Sequence, residues 1–223
     1  MPDPTYLESV RAAYDTVADD YAELLRTELA RKPLDRAMLG AFAELVRADP
    51  DAPVADVGCR PGRITAHLHA LGLPVSGIDL SPAMVAVARR THPGLRFDTG
   101  SMTALDLPDA SLGGLVAWYS VIHTPPELLP GVFAEFARVL RPGGHLLLAF
   151  QAGDELVHLE QAYGHVVSLD AYRLDPRRVV DLLERAGFGV HAHLLREPEP
   201  PEKTRQAYLL ARAGSAREPL RGD

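Results

Sequence analysis

Residues 54–63 read Val54-Ala55-Asp56-Val57-Gly58-Cys59-Arg60-Pro61-Gly62-Arg63, and the rest of the architecture follows from them. Residues 54–58 form a short buried-strand candidate, and residues 64–71 carry a helix-like pattern. Between them, glycines let the backbone turn sharply and approach a ligand. The helix N-terminus adds free N–H groups and partial positive charge. Seventeen residues past Gly62 stands Asp79, at the end of a second strand candidate, Val75-Ser76-Gly77-Ile78-Asp79. In an open α/β sheet that position lies beside the first loop, where a carboxylate can accept both ribose hydroxyls. A glycine loop alone says little. A strand before it, a helix after it and an acid ending the next strand say considerably more.

The same alternation continues on the C-terminal side. Ser81-Pro82 opens a helix with an N-cap and a proline at its first position. Residues 95–99 and 112–119 read as strands three and four. Residues 126–140 form an amphipathic helix ended by Arg141-Pro142-Gly143-Gly144, and 145–150 make strand five. Strands and helices alternating through short connections imply right-handed crossovers and a parallel sheet covered on both faces. Upstream, Tyr6, Val10, Ala13, Tyr14 and Val17 recur at helical steps, as do Leu34, Met38, Leu39, Phe42, Leu45 and Val46. Residues 5–49 are therefore read as helical, broken at Lys32-Pro33. Downstream, 151–174 is polar and aromatic with weaker periodicity. Asp175-Pro176 then caps a helix over 177–186, and 188–195 and 206–211 alternate as late strands around a Pro-rich 197–203 loop. Residues 214–223 read as a frayed tail.

Composition bounds the function. The chain has 223 residues, 47% hydrophobic and 24% charged, which is ordinary for a folded protein. A formal charge of -7 disfavours nucleic acid as the partner, since phosphate binding wants a basic face. No apolar run reaches the roughly 18 residues of a membrane helix, and the N-terminal sequence carries no secretion-signal pattern. The single cysteine, Cys59, excludes an intrachain disulfide framework and fits a reducing compartment, so a cytoplasmic location is expected. Its place beside a helix N-terminus is one where nucleophiles occur, but with no His partner in sequence Cys59 reads as a packing residue.

These motifs resemble those of the class I S-adenosylmethionine-dependent methyltransferases, especially small bacterial enzymes acting on small molecules. The family's first motif is an acid followed by three alternating glycines, and this chain reads Asp56, Gly58, Arg60, Gly62. Ile78-Asp79-Leu80-Ser81 looks like the second motif, in which the acid binds ribose and the next apolar residue lies against adenine. Gly100-Ser101-Met102 resembles the segment at the adenine edge, and residues 139–146 resemble the turn before strand five. The resemblance implies a Rossmann-like, seven-stranded, mostly parallel sheet with helices on both faces and an N-terminal helical cover. It implies a single domain over 1–213, with 1–49 as cover, 50–150 as the nucleotide-binding core, 151–174 as a substrate lid and 175–213 as the C-terminal helix and strands. It also implies S-adenosyl-L-methionine as cofactor, held by Asp56, Gly58, Arg60, Gly62, Asp79, Leu80, Ser101, Met102 and Tyr119, with a small-molecule acceptor.

Arg60 departs from the family pattern, standing where the middle glycine is expected and where the backbone meets the methionine part of the cofactor. Three readings stay open: the side chain turns outward, it impairs the site, or its guanidinium pairs with a carboxylate of the cofactor or of an anionic relative. A cyclase or other rearrangement enzyme, or a binding protein without catalysis, is the alternative this residue raises. Methyl transfer is an in-line displacement that mainly needs positioning, with a base only for a protonated nucleophile. His123, beyond strand four, is the candidate base, or else a residue that packs the next helix. Tyr119 is read as orienting a ligand or filling the core. Tyr14 and Tyr21, seven apart, line an acceptor pocket or form a core stripe. His158 and Tyr163 are candidate acceptor contacts in the 151–174 segment. His158 and His165, also seven apart, would share a helical face two turns apart, a spacing that disfavours a metal site.

Overall fold

The computed structural model describes residues 4–49 and 52–214, leaving aside the side chains of Pro4 and Thr5. The helices are α1 (Pro4–Leu25), α2 (Pro33–Val46), α3 (Arg63–Ala70), α4 (Pro82–Thr91), α5 (Leu129–Val139) and α6 (Pro176–Arg185). The strands are β1 (Val54–Val57), β2 (Val75–Asp79), β3 (Arg96–Thr99), β4 (Leu112–Trp118), β5 (Leu140–Gln151), β6 (Leu156–Ala162), β7 (His165–Tyr172), β8 (Phe188–Arg196) and β9 (Gln206–Ala213). Seven strands join one sheet in the order β3-β2-β1-β4-β5-β9-β8. The first five are parallel, and β9 runs antiparallel to both β5 and β8. This is the mostly parallel sheet expected. Of the tail, only Gly214 belongs to the described residues.

Alternation along the central strands explains how both faces are covered. Leu115, Leu146, Leu148 and Leu209 pack with Phe133 and Phe136 of α5 and with Val179 and Leu183 of α6. Their neighbours Val116, Leu147 and Leu210 point the other way, against Leu39 and Phe42 of α2 and Ile64 and Leu68 of α3. The chain order reverses between β1 and β4, so their carboxyl ends flank the crevice where ligands bind in such sheets. α1 lies apart from the sheet. Its stripe of Ala13, Tyr14, Val17, Ala18 and Tyr21 packs on Met84 and Val87 of α4 and on Leu169 of β7.

Local chemistry sets the boundaries. The Ser81 Oγ accepts the Met84 N–H at 3.1 Å, and the Asp175 carboxylate accepts the Arg177 N–H at 2.9 Å, so both expected caps are present. α5 starts at Leu129, later than the reading from 126, because Val121–His123 forms a 3-10 turn and Thr124, ahead of Pro125, is extended. β5 begins at Leu140, which pairs with Leu112; the Arg141–Gly144 turn sits inside that irregular ladder instead of before the strand.

The largest difference lies in 151–174. His158 and His165 do not share a helix face, because β6 and β7 form a separate two-stranded hairpin. Ala162 pairs with His165, and both turn residues have positive φ, 53° at Tyr163 and 84° at Gly164. That is the backbone of a two-residue turn matching strand twist. Val157, Leu159, Val167, Leu169 and Ala171 face inward at period two, and this hairpin packs against α1.

Candidate functional site

The loop after β1 makes its turn through Gly58 and Gly62, at φ 77° and 83°. A Cβ on Gly58 would stand 2.2 Å from the Ser120 Cβ, and one on Gly62 would stand 2.6 Å from the Phe97 ring. Both glycines are therefore demanded by the close approach of loop to sheet, whatever the ligand. Asp79 ends β2 beneath this loop. Its Oδ2 accepts the Arg60 N–H at 2.7 Å and its Oδ1 the Ser81 N–H at 2.9 Å. Burial pushes the Asp79 carboxyl above its usual range, against those two N–H groups, which favour the charged form. Ser81 also donates to Asp15 of α1 at 2.5 Å, and the Ala83 N–H donates to the same carboxylate at 3.1 Å. Asp15 thus fixes α1 over the start of α4. Its sequence signal was slight, a single acid in an amphipathic helix.

Two openings meet here. A cleft of about 560 Å³, counting its mouth, is lined by Gly58, Asp79, Leu80, Ser101 and Met102. A wider chamber of about 1390 Å³ opens between α1, the β6–β7 hairpin and the 201–206 segment. Tyr14, Arg60 and His123 line both. They form the partition between cleft and chamber.

Arg60 holds the partition together. Its backbone has φ 52°, unusual for a residue with a side chain. Its Nη1 donates to the Tyr21 hydroxyl at 2.9 Å and its Nη2 to the Tyr119 carbonyl at 2.6 Å. The guanidinium carbon lies 5.3 and 5.5 Å from the ring centres of Tyr14 and Tyr21, a cation–π arrangement. The side chain therefore turns inward, which removes the outward reading.

His123 completes the partition. Its Nδ1 is 2.7 Å from the Asp170 carbonyl, which can only accept, so Nδ1 carries the proton. Its Nε2 then accepts from the Tyr14 hydroxyl at 2.7 Å. Burial, seconded by the Arg60 charge, brings the imidazole pKa down to about 4. His123 is neutral near pH 7 and has both ring nitrogens engaged.

The other expected residues fall into three places. Tyr21, Tyr119 and Tyr163 line the chamber, and the Tyr163 ring sits edge-on to Tyr21 at 4.9 Å. His158 lies on a third opening beyond His123, with its Nδ1 2.7 Å from an Asp170 carboxylate oxygen. Asp56 and Gly62 line neither cleft nor chamber. Asp56 is wholly buried on β1, accepts the Thr65 hydroxyl at 2.6 Å, and leaves Oδ1 without a partner among the described residues. Burial raises its pKa to about 6. Cys59 is buried against Val85, Ala88 and Phe97, with its thiol pushed up by burial, and is a packing residue. Among the described residues no group of three or more His, Cys, Asp or Glu is placed to hold a metal. No described helix is long and apolar enough to cross a membrane.

A family model described as a methyltransferase domain matches residues 54–144. Malonyl-[acyl-carrier protein] O-methyltransferase of Enterobacter lignolyticus is 31% identical over 163 residues, 73% of this chain. The chain spans about three fifths of that relative, 61% of its length. Magnesium protoporphyrin IX methyltransferase from Synechocystis, solved with bound S-adenosylmethionine, superposes with a TM-score of 0.69 at 18% identity, covering 94% of this chain and 97% of its own. The [4+2]-cyclase SpnF superposes equally well, TM-score 0.69 at 16% identity, covering 92% and 97%. At these identities the superpositions speak for the fold alone. Residues 54–144, running from β1 into the turn within β5 and across the loop that shapes the cleft, thus match a methyltransferase domain, carried on the fold of solved S-adenosylmethionine-dependent methyltransferases.

Proposed function

We propose that the protein transfers a methyl group from S-adenosylmethionine to a small molecule. The observation that carries this reading is the pair of openings at the carboxyl edge of the sheet, which share Tyr14, Arg60 and His123 in their linings. Gly58, Asp79, Leu80, Ser101 and Met102 then hold the cofactor: Asp79 accepts from ribose hydroxyls, while Leu80 and Met102 give apolar walls to the adenine. Bound there, S-adenosylmethionine supplies an electrophilic methyl on a sulfonium. Asp56 and Gly62 support this site from behind, shaping the loop without touching a ligand.

Tyr21, Tyr119 and Tyr163 line the acceptor side in this reading, and the β6–β7 hairpin serves as its lid. His158 borders the third opening and contacts an acceptor only if one extends past His123. His123 acts by positioning: it takes the Tyr14 proton in a hydrogen bond and fixes that ring beside Arg60. As a base it is weak, because its conjugate acid would be buried away from water and would stand beside the Arg60 charge. An acceptor that arrives deprotonated therefore suits this site best. Residues 1–213 work as one domain, and a cytoplasmic location fits the lone buried thiol. The cyclase reading rests on Arg60 in place of the middle motif glycine and on the SpnF likeness, which is of fold only.

The test is incubation of the full chain with methyl-labelled S-adenosylmethionine and a panel of small acceptors. Label transfer together with S-adenosylhomocysteine formation supports methyl transfer. Product formed from a candidate substrate without cofactor consumption sinks it in favour of rearrangement chemistry.

A further inference from the structure

Most charged groups that line the acceptor chamber are paired, while Arg60 and Asp35 are held by neutral partners. Arg63 pairs with Glu28, and Arg173 pairs with Glu155. Glu202 is met by Arg196 and Lys32, each at 2.8 Å, and Asp35 accepts the Tyr208 hydroxyl at 2.7 Å. Lys203 is exposed to solvent. Arg60 alone holds its charge inside the partition against a phenol and a carbonyl, neither of them anionic. The Asp79 carboxylate bonds the Arg60 backbone N–H and not the guanidinium. An enclosed cation without a paired counter-charge is costly unless a ligand supplies one.

Its direction names the side from which that ligand comes. Both groups holding the guanidinium, Tyr21 and Tyr119, line the chamber and not the cofactor cleft. Leu25, Ile122, Val157 and Leu169 give the same chamber apolar walls.

We propose that the acceptor carries a carboxylate on an apolar body, and that Arg60 receives this carboxylate in the partition. This rests on the methyl-transfer reading and narrows its substrate class. The planar guanidinium matches a carboxylate by paired N–H donors, which orients the acceptor as well as selecting it. The missing glycine of the first motif is then a gain of a recognition group. Exchanging the Tyr21 and Tyr119 contacts for a ligand carboxylate leaves the guanidinium at its post between the two openings.

The experiment compares 3-phenylpropionate with its neutral analogue 3-phenylpropionamide, titrated into the full chain by ligand-observed NMR. Each titration is run with and without saturating S-adenosylhomocysteine, on wild type, Arg60→Gln and Arg60→Lys. The expected result is a carboxylate preference of about tenfold or more in wild type. It should fall to about one in Arg60→Gln and survive in part in Arg60→Lys, with thermal melts confirming that each variant is folded. Equal binding of the two probes to wild type, or no binding of either, overturns the proposal, as does a preference unchanged in Arg60→Gln. S-adenosylhomocysteine and its carboxamide form the companion pair. If the Arg60 dependence appears in that pair and not in the phenylpropionyl pair, the residue serves the cofactor and the acceptor proposal is overturned. If S-adenosylhomocysteine fails to bind while the phenylpropionate preference holds, the methyl-transfer reading fails and the carboxylate site stands.

Discussion

The His123 imidazole is held between two elements that are far apart in sequence, with Nε2 2.7 Å from the Tyr14 hydroxyl on α1 and Nδ1 2.7 Å from the Asp170 carbonyl on β7. The geometry assigns the proton to Nδ1 and makes the ring a bridge from the end of β4 to both covering elements. A protonated His123 would turn the Tyr14 acceptor into a second donor and place a charge beside Arg60.

The pH dependence of stability follows from that bridge. His123 falls from an unfolded pKa near 6.5 to about 4 in the folded protein, so the unfolded chain binds more protons between those values. Its stabilising contribution is complete above about pH 6.5 and is lost as pH falls through about 4. Over that window the loss is about 3 kcal/mol. Urea unfolding at pH 7 and pH 4.5 checks this, and His123→Gln should show a correspondingly shallower loss on acidification than wild type.

Asp56 works in the opposite sense. Its carboxyl is raised to about 6, so the folded protein binds the extra proton between about pH 4 and 6. Its favourable contribution is present at low pH and lost as pH rises through 6. Asp56→Asn keeps an oxygen for the Thr65 hydroxyl and carries no charge to bury. The variant should gain about 1–2 kcal/mol over wild type at pH 7.5 and little at pH 4. A loss of stability at pH 7.5 would mean that the charged form is held by something the burial argument omits.

Two glycines separate packing from backbone strain. Gly58→Ala brings a Cβ to within 2.2 Å of the Ser120 Cβ at φ 77°, where neither the side chain nor the backbone can yield cheaply. Its cost should exceed about 3 kcal/mol or abolish folding. Gly72 has φ 88°, but a Cβ there would meet nothing within 4 Å, so Gly72→Ala should cost about 1 kcal/mol. Paired thermal melts decide this, and similar losses at the two sites would refute the steric part of the argument.

Arg60 also sets which ligand charge the cleft prefers. A fixed cation in the partition disfavours a cationic sulfonium relative to the neutral thioether of the demethylated product. Charges a few ångströms apart interact by several kcal/mol at an effective dielectric of about 20, before solvent screening reduces this. Arg60→Gly should therefore shift affinity toward S-adenosylmethionine over S-adenosylhomocysteine by about tenfold relative to wild type. Parallel calorimetric titrations of both ligands give the ratio, and a ratio unmoved by the substitution would place the Arg60 charge out of reach of the sulfonium.

Much of this was legible in the sequence. Short apolar runs marked β1, β2 and β4 as buried strands, and Ser81-Pro82 and Asp175-Pro176 marked two helix starts through local capping chemistry. The hairpin was harder. Val157, Leu159, Val167, Leu169 and Ala171 do alternate, but the register slips between Leu159 and Gln161, and Tyr163-Gly164 is a less familiar turn pair than Asn-Gly. The site divided along the same line. Asp79, Leu80, Ser101 and Met102 fell on the cleft because they follow strand ends, whose place is set by the sheet. Asp56 and Gly62 went elsewhere because motif position does not say which way a residue faces. The inward turn of Arg60 depends on Tyr14 and Tyr21 from α1, a tertiary meeting that no local pattern encodes.

If Asp79 and its neighbours form the cofactor site, calorimetric titration of S-adenosylhomocysteine into wild type and Asp79→Asn must show it. Wild type should bind, and Asp79→Asn should bind at least tenfold more weakly, about 1.4 kcal/mol, while remaining folded. Absence of binding to wild type at millimolar ligand, or equal affinity in the two folded proteins, would remove the cofactor site and the methyl transfer built on it.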